Sequence, residues 1–454
     1  MSKQVLSLAV NGREYQLQHR MRLYQPPQAA GGEAGPDPLS SAVAIVGLGY
    51  VGLPTAVALH GRCKRIIGVD ASQRRLGEVA AARADLSGPD RIELEAALGD
   101  GSLELTSDPA AAGQADAVII CVPTPVDASY APDLTAMRAA CASVVEHARP
   151  GQTLILTSTT YAGTTRELLA GPLAERGLVA GSDVFVAFSP ERIDPGNYDH
   201  LQRETPRVVG GITGECTSRA AAVISQLTDS VYMLSSPEAA EATKLYENIF
   251  RAVTLALANE FADACGTLGL DPVEITLAAG TKPYGFLGAL PGPGVGGHCI
   301  PTDPHYLLWQ LQQQDRHSPL IEEAMKRISL RPARVAERAA EVMAADERSL
   351  RGAAVVVVGA SYKPGVQDLR ESPALDLIAR LLDAGARAEY YDPLIPVLEL
   401  ADGRQLASCQ PDGPFDLAIV HTVHPGVDYS WVRDCPRVLD ATYQFDGAPH
   451  RVVV

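Results

Sequence analysis

At 454 residues the chain is long enough for two or three domains, and 46% hydrophobic content with a mean hydropathy of +0.02 fits a globular protein without an apolar run of bilayer length. A net charge of −16 and a pI near 5.1 argue against nonspecific nucleic-acid binding and against an anionic membrane surface. Eight scattered cysteines, none in a C-x-x-C pair, exclude a zinc or disulfide framework, and no metal is expected. Residues 1–40 read as an extension and linker: Val5–Val10 suits a short strand, and Pro26-Pro27 to Pro36-Asp37-Pro38 breaks regular structure. Met1-Ser2-Lys3-Gln4 lacks the charged-then-apolar layout of a secretory signal, so a cytoplasmic location is expected.

Apolar runs then alternate with alanine-rich helical segments. Ala42–Val46, Ile66–Asp70, Ala117–Val122, Leu154–Thr157 and Val184–Ala187 read as buried parallel strands of a doubly wound α/β unit. From Pro237 to about Leu268 apolar residues recur every three or four positions, which predicts one long helix. A second α/β unit follows, with strands at Ala353–Gly359, Ala388–Pro393 and Leu417–Val420. The expected fold is α/β, two Rossmann-like domains joined by a long central helix within a helical domain. The expected boundaries are 1–40 for the extension, 41–212 for the first α/β domain, 213–330 for the central domain and 331–454 for the second α/β domain.

Gly47-Leu48-Gly49-Tyr50-Val51-Gly52 is a G-x-G-x-x-G between a strand and a helix, where close backbone approach suits a dinucleotide pyrophosphate. Asp70 ends the next strand, where a carboxylate takes ribose hydroxyls and disfavours a 2′-phosphate, so the expected cofactor is NAD. Pro123-Thr124 and Thr159 follow later strands and border the same cleft, or form plain turns. Glu191, in Ser189-Pro190-Glu191-Arg192, is an acid–base candidate or a solvated loop carboxylate. Lys244 and Asn248 lie one helical turn apart, as an oxyanion-stabilising pair or as ordinary exposed polarity. Gly296-Gly297-His298-Cys299 sets a thiol on a glycine turn with Asp303 four residues later, a pattern suited to a thioester and a positioned water; the alternative is an inert cysteine. Lys363 and Arg370 follow the first strand of the second unit, which lacks three glycines; they suit a substrate phosphate or form a surface pair.

Taken together, VGLGYVGLP, STTYAGTT, SPERIDPGN, EATKLYENIFRAV, PGPGVGGHCIPTDP and SYKPGVQDLRESPA stand in an order that resembles the UDP-glucose/GDP-mannose dehydrogenase family from about residue 42 to about 445. The resemblance implies a homodimeric enzyme that oxidises the C6 alcohol of a nucleoside-diphosphate sugar to a carboxylate with two NAD. It makes Cys299 the nucleophile, Asp303 the water-orienting group and Lys244 with Asn248 the oxyanion partners, with Thr159 and Glu191 around water and substrate. Cofactor contacts are carried over to Gly47, Gly49, Tyr50, Val51, Gly52, Asp70, Pro123, Thr124 and Thr159. Substrate contacts are carried over to Glu191, Arg192, Lys244, Asn248, Phe286, Gly296, Lys363 and Arg370.

The expected substrate is a UDP- or dTDP-glucose, and the alternative is a UDP-N-acetylhexosamine. Members acting on UDP-glucose often carry a second glutamate where Pro195 stands, and ERIDPGN resembles the N-acetylhexosamine branch, whereas Lys282–Leu287 departs from that branch. Two remoter readings are a two-electron β-hydroxyacid dehydrogenase, which needs neither Cys299 nor residues 350–454, and a non-catalytic nucleotide-sugar sensor, which would not retain the nucleophile.

Overall fold

The computed structural model describes residues 7–10, 13–16, 22–25, 41–84, 86–127, 129–193, 202–411 and 413–454. The chain forms two compact units, Met1–Tyr246 and Glu247–Val454. Among the described residues no helix is long and apolar enough to cross a membrane.

The first unit holds a hairpin, β1 (Ser7–Val10) with β2 (Arg13–Gln16), and a nine-stranded sheet. The sheet strands are β3 (Arg22–Leu23), β4 (Ala42–Val46), β5 (Arg65–Val69), β6 (Leu103–Thr106), β7 (Ala117–Ile120), β8 (Thr153–Leu156), β9 (Phe185–Phe188), β10 (Arg207–Gly211) and β11 (Val231–Met233). Their order is β3-β11-β10-β9-β8-β7-β4-β5-β6, and the run from β6 to β9 is parallel throughout. Those six strands have the dinucleotide-fold order, with the switch point between β4 and β7. Helices cover both faces, so the central strands are apolar without alternation: β7, β8 and β9 are buried at every position. Ile45, Leu53, Ile66 and Ile119 centre the core.

Three expected boundaries are crossed. β10 pairs antiparallel with β9, and β11 runs parallel to β10, so the first sheet continues past residue 212. β3, within the expected N-terminal extension, pairs antiparallel with β11, and the Tyr24 amide donates to the Val231 carbonyl at 2.8 Å. Unpaired edge groups on β11 are thereby satisfied by the extension. The Pro26–Pro38 stretch lies outside the described residues.

The long helix runs from Pro237 to Leu268 as its periodicity predicts, and Gly269 ends it with a left-handed φ of +70°. In the second unit, helices Asp303–Gln312 and Pro319–Ala344 precede a parallel sheet of β12 (Ala354–Val358), β13 (Arg387–Tyr391), β16 (Leu417–Val420), β17 (Val438–Asp440) and β18 (Arg451–Val453). A small hairpin, β14 (Val397–Glu399) with β15 (Gln405–Ala407), lies outside that sheet. The order β13-β12-β16-β17-β18 places the switch point between β12 and β16. Helix Pro319–Ala344 passes the expected boundary at 330 unbroken, because Ala324, Ile328, Val335, Ala339 and Val342 keep one buried stripe on either side of Pro332.

Candidate active site

Each glycine of the first βα turn answers a different physical demand. Gly47 has φ +91°, and a Cβ there would lie 2.3 Å from the Cys121 carbonyl oxygen across the switch point. At Gly52 a Cβ would lie 1.8 Å from the Gly47 oxygen, so this glycine lets the helix Gly52–Ala58 start against the turn. A Cβ at Gly49 would meet nothing beyond its chain neighbours within 4 Å: the fold leaves space there that a pyrophosphate fits. Asp70 accepts the Leu48 amide at 2.8 Å on one carboxylate oxygen and the Ser72 amide at 2.9 Å on the other. Each oxygen keeps a lone pair for a ribose hydroxyl. Thr124 is buried, while Pro123 and Tyr50 are exposed, and Val51 is half-buried. This turn fits NAD.

After β8, Thr159 is half-buried in a loop whose neighbours are tightly held. Thr160 and Thr164 share a 2.7 Å hydroxyl bond, and Ser158 accepts the Val122 amide at 2.8 Å. The next turn is fastened to the long helix by Glu241, which sequence reading passed over. Its buried carboxylate accepts the Gly163 amide at 2.6 Å and the Thr165 amide and hydroxyl at 2.8 and 2.6 Å. Burial raises the Glu241 pKa against the pull of those three donors. Lys244, one turn further along, is half-buried.

Glu191 is not a solvated carboxylate. It is 8% exposed, one oxygen accepts the Arg192 and Ile193 amides at 2.8 and 3.1 Å, and the other pairs with the buried Arg207 guanidinium. That set of bonds holds the carboxylate in place as an acceptor. Arg192 turns its guanidinium to the Pro206 carbonyl at 2.8 Å. Asp194, Pro195 and Asn197 lie outside the described residues.

In the second unit Cys299 is the one exposed thiol of eight. Burial pushes Cys63 up to about 11 and Cys121 and Cys141 up to about 12, which keeps those thiols protonated and unreactive. The Cys299 carbonyl accepts the Asp303 amide at 2.8 Å as the helix Asp303–Gln312 begins. Asp303 is 2% exposed, and its carboxylate accepts the Asn248 side-chain amide at 2.5 Å. Asn248 therefore holds the carboxylate, with one N–H left over for another acceptor. Two residues further along that helix, burial lowers His305 to about 4, so it is a neutral imidazole at neutral pH.

The strap before Cys299 is glycine-rich because other chain segments lie against it. A Cβ at Gly296 would meet the Tyr362 Cβ at 2.6 Å and the Glu371 oxygen at 2.7 Å, and one at Gly294 would meet Pro373 at 2.7 Å. The Gly297 amide donates to the Arg370 carbonyl at 2.9 Å. The Arg370 guanidinium forks onto Asp368 at 3.0 and 2.6 Å, so its charge is already engaged within its own loop. Lys363 is half-buried, and Phe286 is 39% exposed in the loop upstream of the strap.

The second α/β unit repeats the first turn and closes it. The Gly359 amide bonds the Tyr391 carbonyl at 2.7 Å as Gly47 bonds Val69 at 2.8 Å, and Ala360 bonds Asp392 at 2.8 Å as Leu48 bonds Asp70. Yet Asp392 is 1% exposed, accepts the Ser361 amide at 3.0 Å as well, and pairs with His424 at 3.1 Å. Burial works against its charge, but the His424 bond and these amides hold the carboxyl below its usual range. Both Asp392 oxygens are thus bonded inside the fold, where those of Asp70 keep room for a ligand, which agrees with the missing second and third glycines.

Three models of one family match the chain: the UDP-glucose/GDP-mannose dehydrogenase family NAD binding domain over residues 41–228, its central domain over 238–327 and its UDP binding domain over 356–449. The chain is 32% identical over 379 residues to an NDP-N-acetyl-D-galactosaminuronic acid dehydrogenase of Ralstonia solanacearum, covering 81% of this chain and 87% of that protein. It is 33% identical over 348 residues to a UDP-N-acetyl-D-mannosamine dehydrogenase of Escherichia coli (strain K12), covering 74% and 81%. Among solved structures it is similar to a UDP-D-ManNAc dehydrogenase from Pyrococcus horikoshii, with a TM-score of 0.82, 28% identity and coverage of 91% of this chain and 98% of that one.

Proposed function

The chain belongs to the UDP-glucose/GDP-mannose dehydrogenase family as an NAD-dependent nucleotide-sugar dehydrogenase, and from that premise we propose that it oxidises the C6 hydroxyl of a UDP-N-acetylhexosamine to the carboxylate. The names of the similar proteins support the N-acetylhexosamine over the glucose-type sugar that the sequence placed first. One observation carries the chemistry: the single exposed thiol stands four residues before a buried carboxylate gripped by an asparagine.

NAD, when bound, accepts the hydride lost from C6 in each of the two oxidations. The Cys299 thiolate adds to the C6 aldehyde, forming the carbon–sulfur bond of a thiohemiacetal, whose oxidation leaves a thioester. Asp303, fixed by Asn248, orients the water that cleaves that thioester, releasing the acid and the thiol. Lys244 and the second N–H of Asn248 hydrogen-bond the C6 oxygen while it carries negative charge. The first proton leaves through water to Lys244 or Asp303. Glu191 and Thr159 serve as fixed hydrogen-bond partners of water and sugar, and Lys363 serves the substrate's phosphates. One turnover thus consumes two NAD and one water.

The test is NADH formed per sugar consumed across UDP-linked N-acetylmannosamine, N-acetylglucosamine and N-acetylgalactosamine, with UDP-glucose and dTDP-glucose beside them. Two NADH on an N-acetylhexosamine is the expected result. One NADH per sugar would end the thioester mechanism, and preference for a glucose nucleotide would end the substrate assignment. The proposed enzyme is a homodimer located in the cytoplasm; an apolar stripe along the long helix supports the dimer.

A further inference from the structure

Seven residues upstream of Cys299, both backbone groups of Gly292 are held by buried side chains. Its amide donates to the Asn259 side-chain oxygen at 2.9 Å, and its carbonyl accepts Arg331 Nε at 3.0 Å. Arg331 is 3% exposed, an unusual place for a guanidinium unless every donor is used. It also donates to Asp263 at 2.7 Å and to the Tyr443 hydroxyl at 3.1 Å. Tyr443 in turn donates to the Val454 carbonyl at 2.7 Å, so its one proton is committed and its oxygen is left to accept from Arg331. Asn259 and Asp263 sit one turn apart on the long helix.

We propose that Arg331 is a positioning residue for Cys299: with Asn259 it anchors the strap at Gly292, and the Gly297 amide bond to Arg370 anchors the other end. Between the anchors a side chain at Gly294 would meet Pro373 and one at Gly296 would meet Tyr362 and the Glu371 carbonyl, so these segments lie close against the strap. The thiol is therefore presented by a segment fixed at both ends, and Arg331 links that segment to the long helix through Asp263 and to the second α/β sheet through Tyr443. No apolar residue of similar length replaces it, because the Gly292 carbonyl would lose its partner and the strap one of its two anchors. This role rests on the proposed nucleophile only for its effect on turnover.

The test compares Arg331→Met, Arg331→Lys and Asn259→Ala with the unaltered full-length protein. The first readout needs no substrate: the rate at which iodoacetamide alkylates Cys299, followed by peptide mass spectrometry. The second is kcat and KM with both substrates. Expected are a change in alkylation rate of about threefold or more and a fall in kcat of about tenfold or more for Arg331→Met and Asn259→Ala, with KM for NAD unchanged. Arg331→Lys, which keeps one donor group for the carbonyl, should recover part of both. If the folded variants alkylate and turn over like the parent, the proposal is overturned. If alkylation shifts while acid formation does not, the anchoring stands and the nucleophile assignment falls. Should Arg331→Met fail to fold, Asn259→Ala decides, since Asn259 touches the same glycine from the other side.

Discussion

Both ring nitrogens of His60 face carboxylates: Nδ1 meets Glu93 at 2.6 Å and Nε2 meets Asp100 at 2.9 Å. Only the imidazolium donates at both atoms. The Asp100 bond, then the Glu93 bond, raise the His60 pKa above its ordinary 6.5 against the opposing effect of burial. The His60 bond holds Asp100 down to about 2, below its ordinary 3.8. The raised histidine stabilises fully below about pH 6.5, and that contribution disappears as pH rises through its higher folded value. The lowered aspartate contributes above about pH 4, and its share is lost as pH falls toward 2. Both are therefore present together near pH 5. Thermal melts at pH 5 and pH 8.5 should show the wild type losing more stability across that rise than His60→Gln; equal losses would dissociate this cluster from stability. At Cys299 the corresponding single-residue test is chemical. Cys299→Ser replaces the thiol with a hydroxyl of much higher pKa, so complete oxidation should fall by about 100-fold or more, while NAD affinity stays within about twofold. A serine variant that forms the acid at the parent rate contradicts the thioester.

At the scale of the element, the βα turn separates steric from ligand-imposed glycines. Gly52→Ala must displace the Gly47 carbonyl and should destabilise the protein by about 2 kcal/mol or more, seen as an earlier urea midpoint. Gly49→Ala meets nothing in the protein and should leave the midpoint in place while raising KM for NAD about tenfold, because only the cofactor occupies that space. A drop in stability for Gly49→Ala would show that the turn itself needs the glycine. The glycine spacing was readable because it follows from local geometry, as were the central strands, found within two residues, and the bounds of the long helix. β10 and β11 were missed because Arg207–Gly211 mixes a buried arginine and two glycines into the strand, and β3 because two residues carry no period. Cys299, Asp303 and Asn248 stood out by motif, but that Asn248 spends an N–H on Asp303, 55 residues away, is a tertiary fact. The same holds for Glu191, read as an even choice between catalyst and solvated loop until Arg207 is seen beside it. Arg331 gave only a weak sign, an arginine next to a proline inside an amphipathic helix.

For the whole molecule, the long helix raises the question of assembly. Tyr246, Phe250, Leu257, Phe261 and Leu268 are 70%, 47%, 64%, 43% and 70% exposed. At about 100° per residue these five positions fall within an arc of about 60°, on a helix about 48 Å long. Isolated exposed apolar side chains are ordinary, but a continuous row of five, two of them phenylalanines, is the pattern of a surface covered by a partner. A two-fold contact would set this row against its own copy, each aromatic ring meeting the same stripe in reverse. With a formal charge of −16 per chain, close approach of two copies is opposed by repulsion, so apolar burial has to supply the attraction. Light scattering after size exclusion should then give twice 48.0 kDa for the parent at micromolar concentration. Phe250→Glu combined with Leu257→Glu should give a single 48.0 kDa species, since two carboxylates in each stripe would have to be desolvated against two more. A parent that elutes as a monomer, or a double variant that still pairs, would remove the stripe as the reason for assembly. Because Lys244 and Asn248 sit on the same helix as the stripe, the activity of the double variant measures whether the proposed roles of that turn depend on a partner.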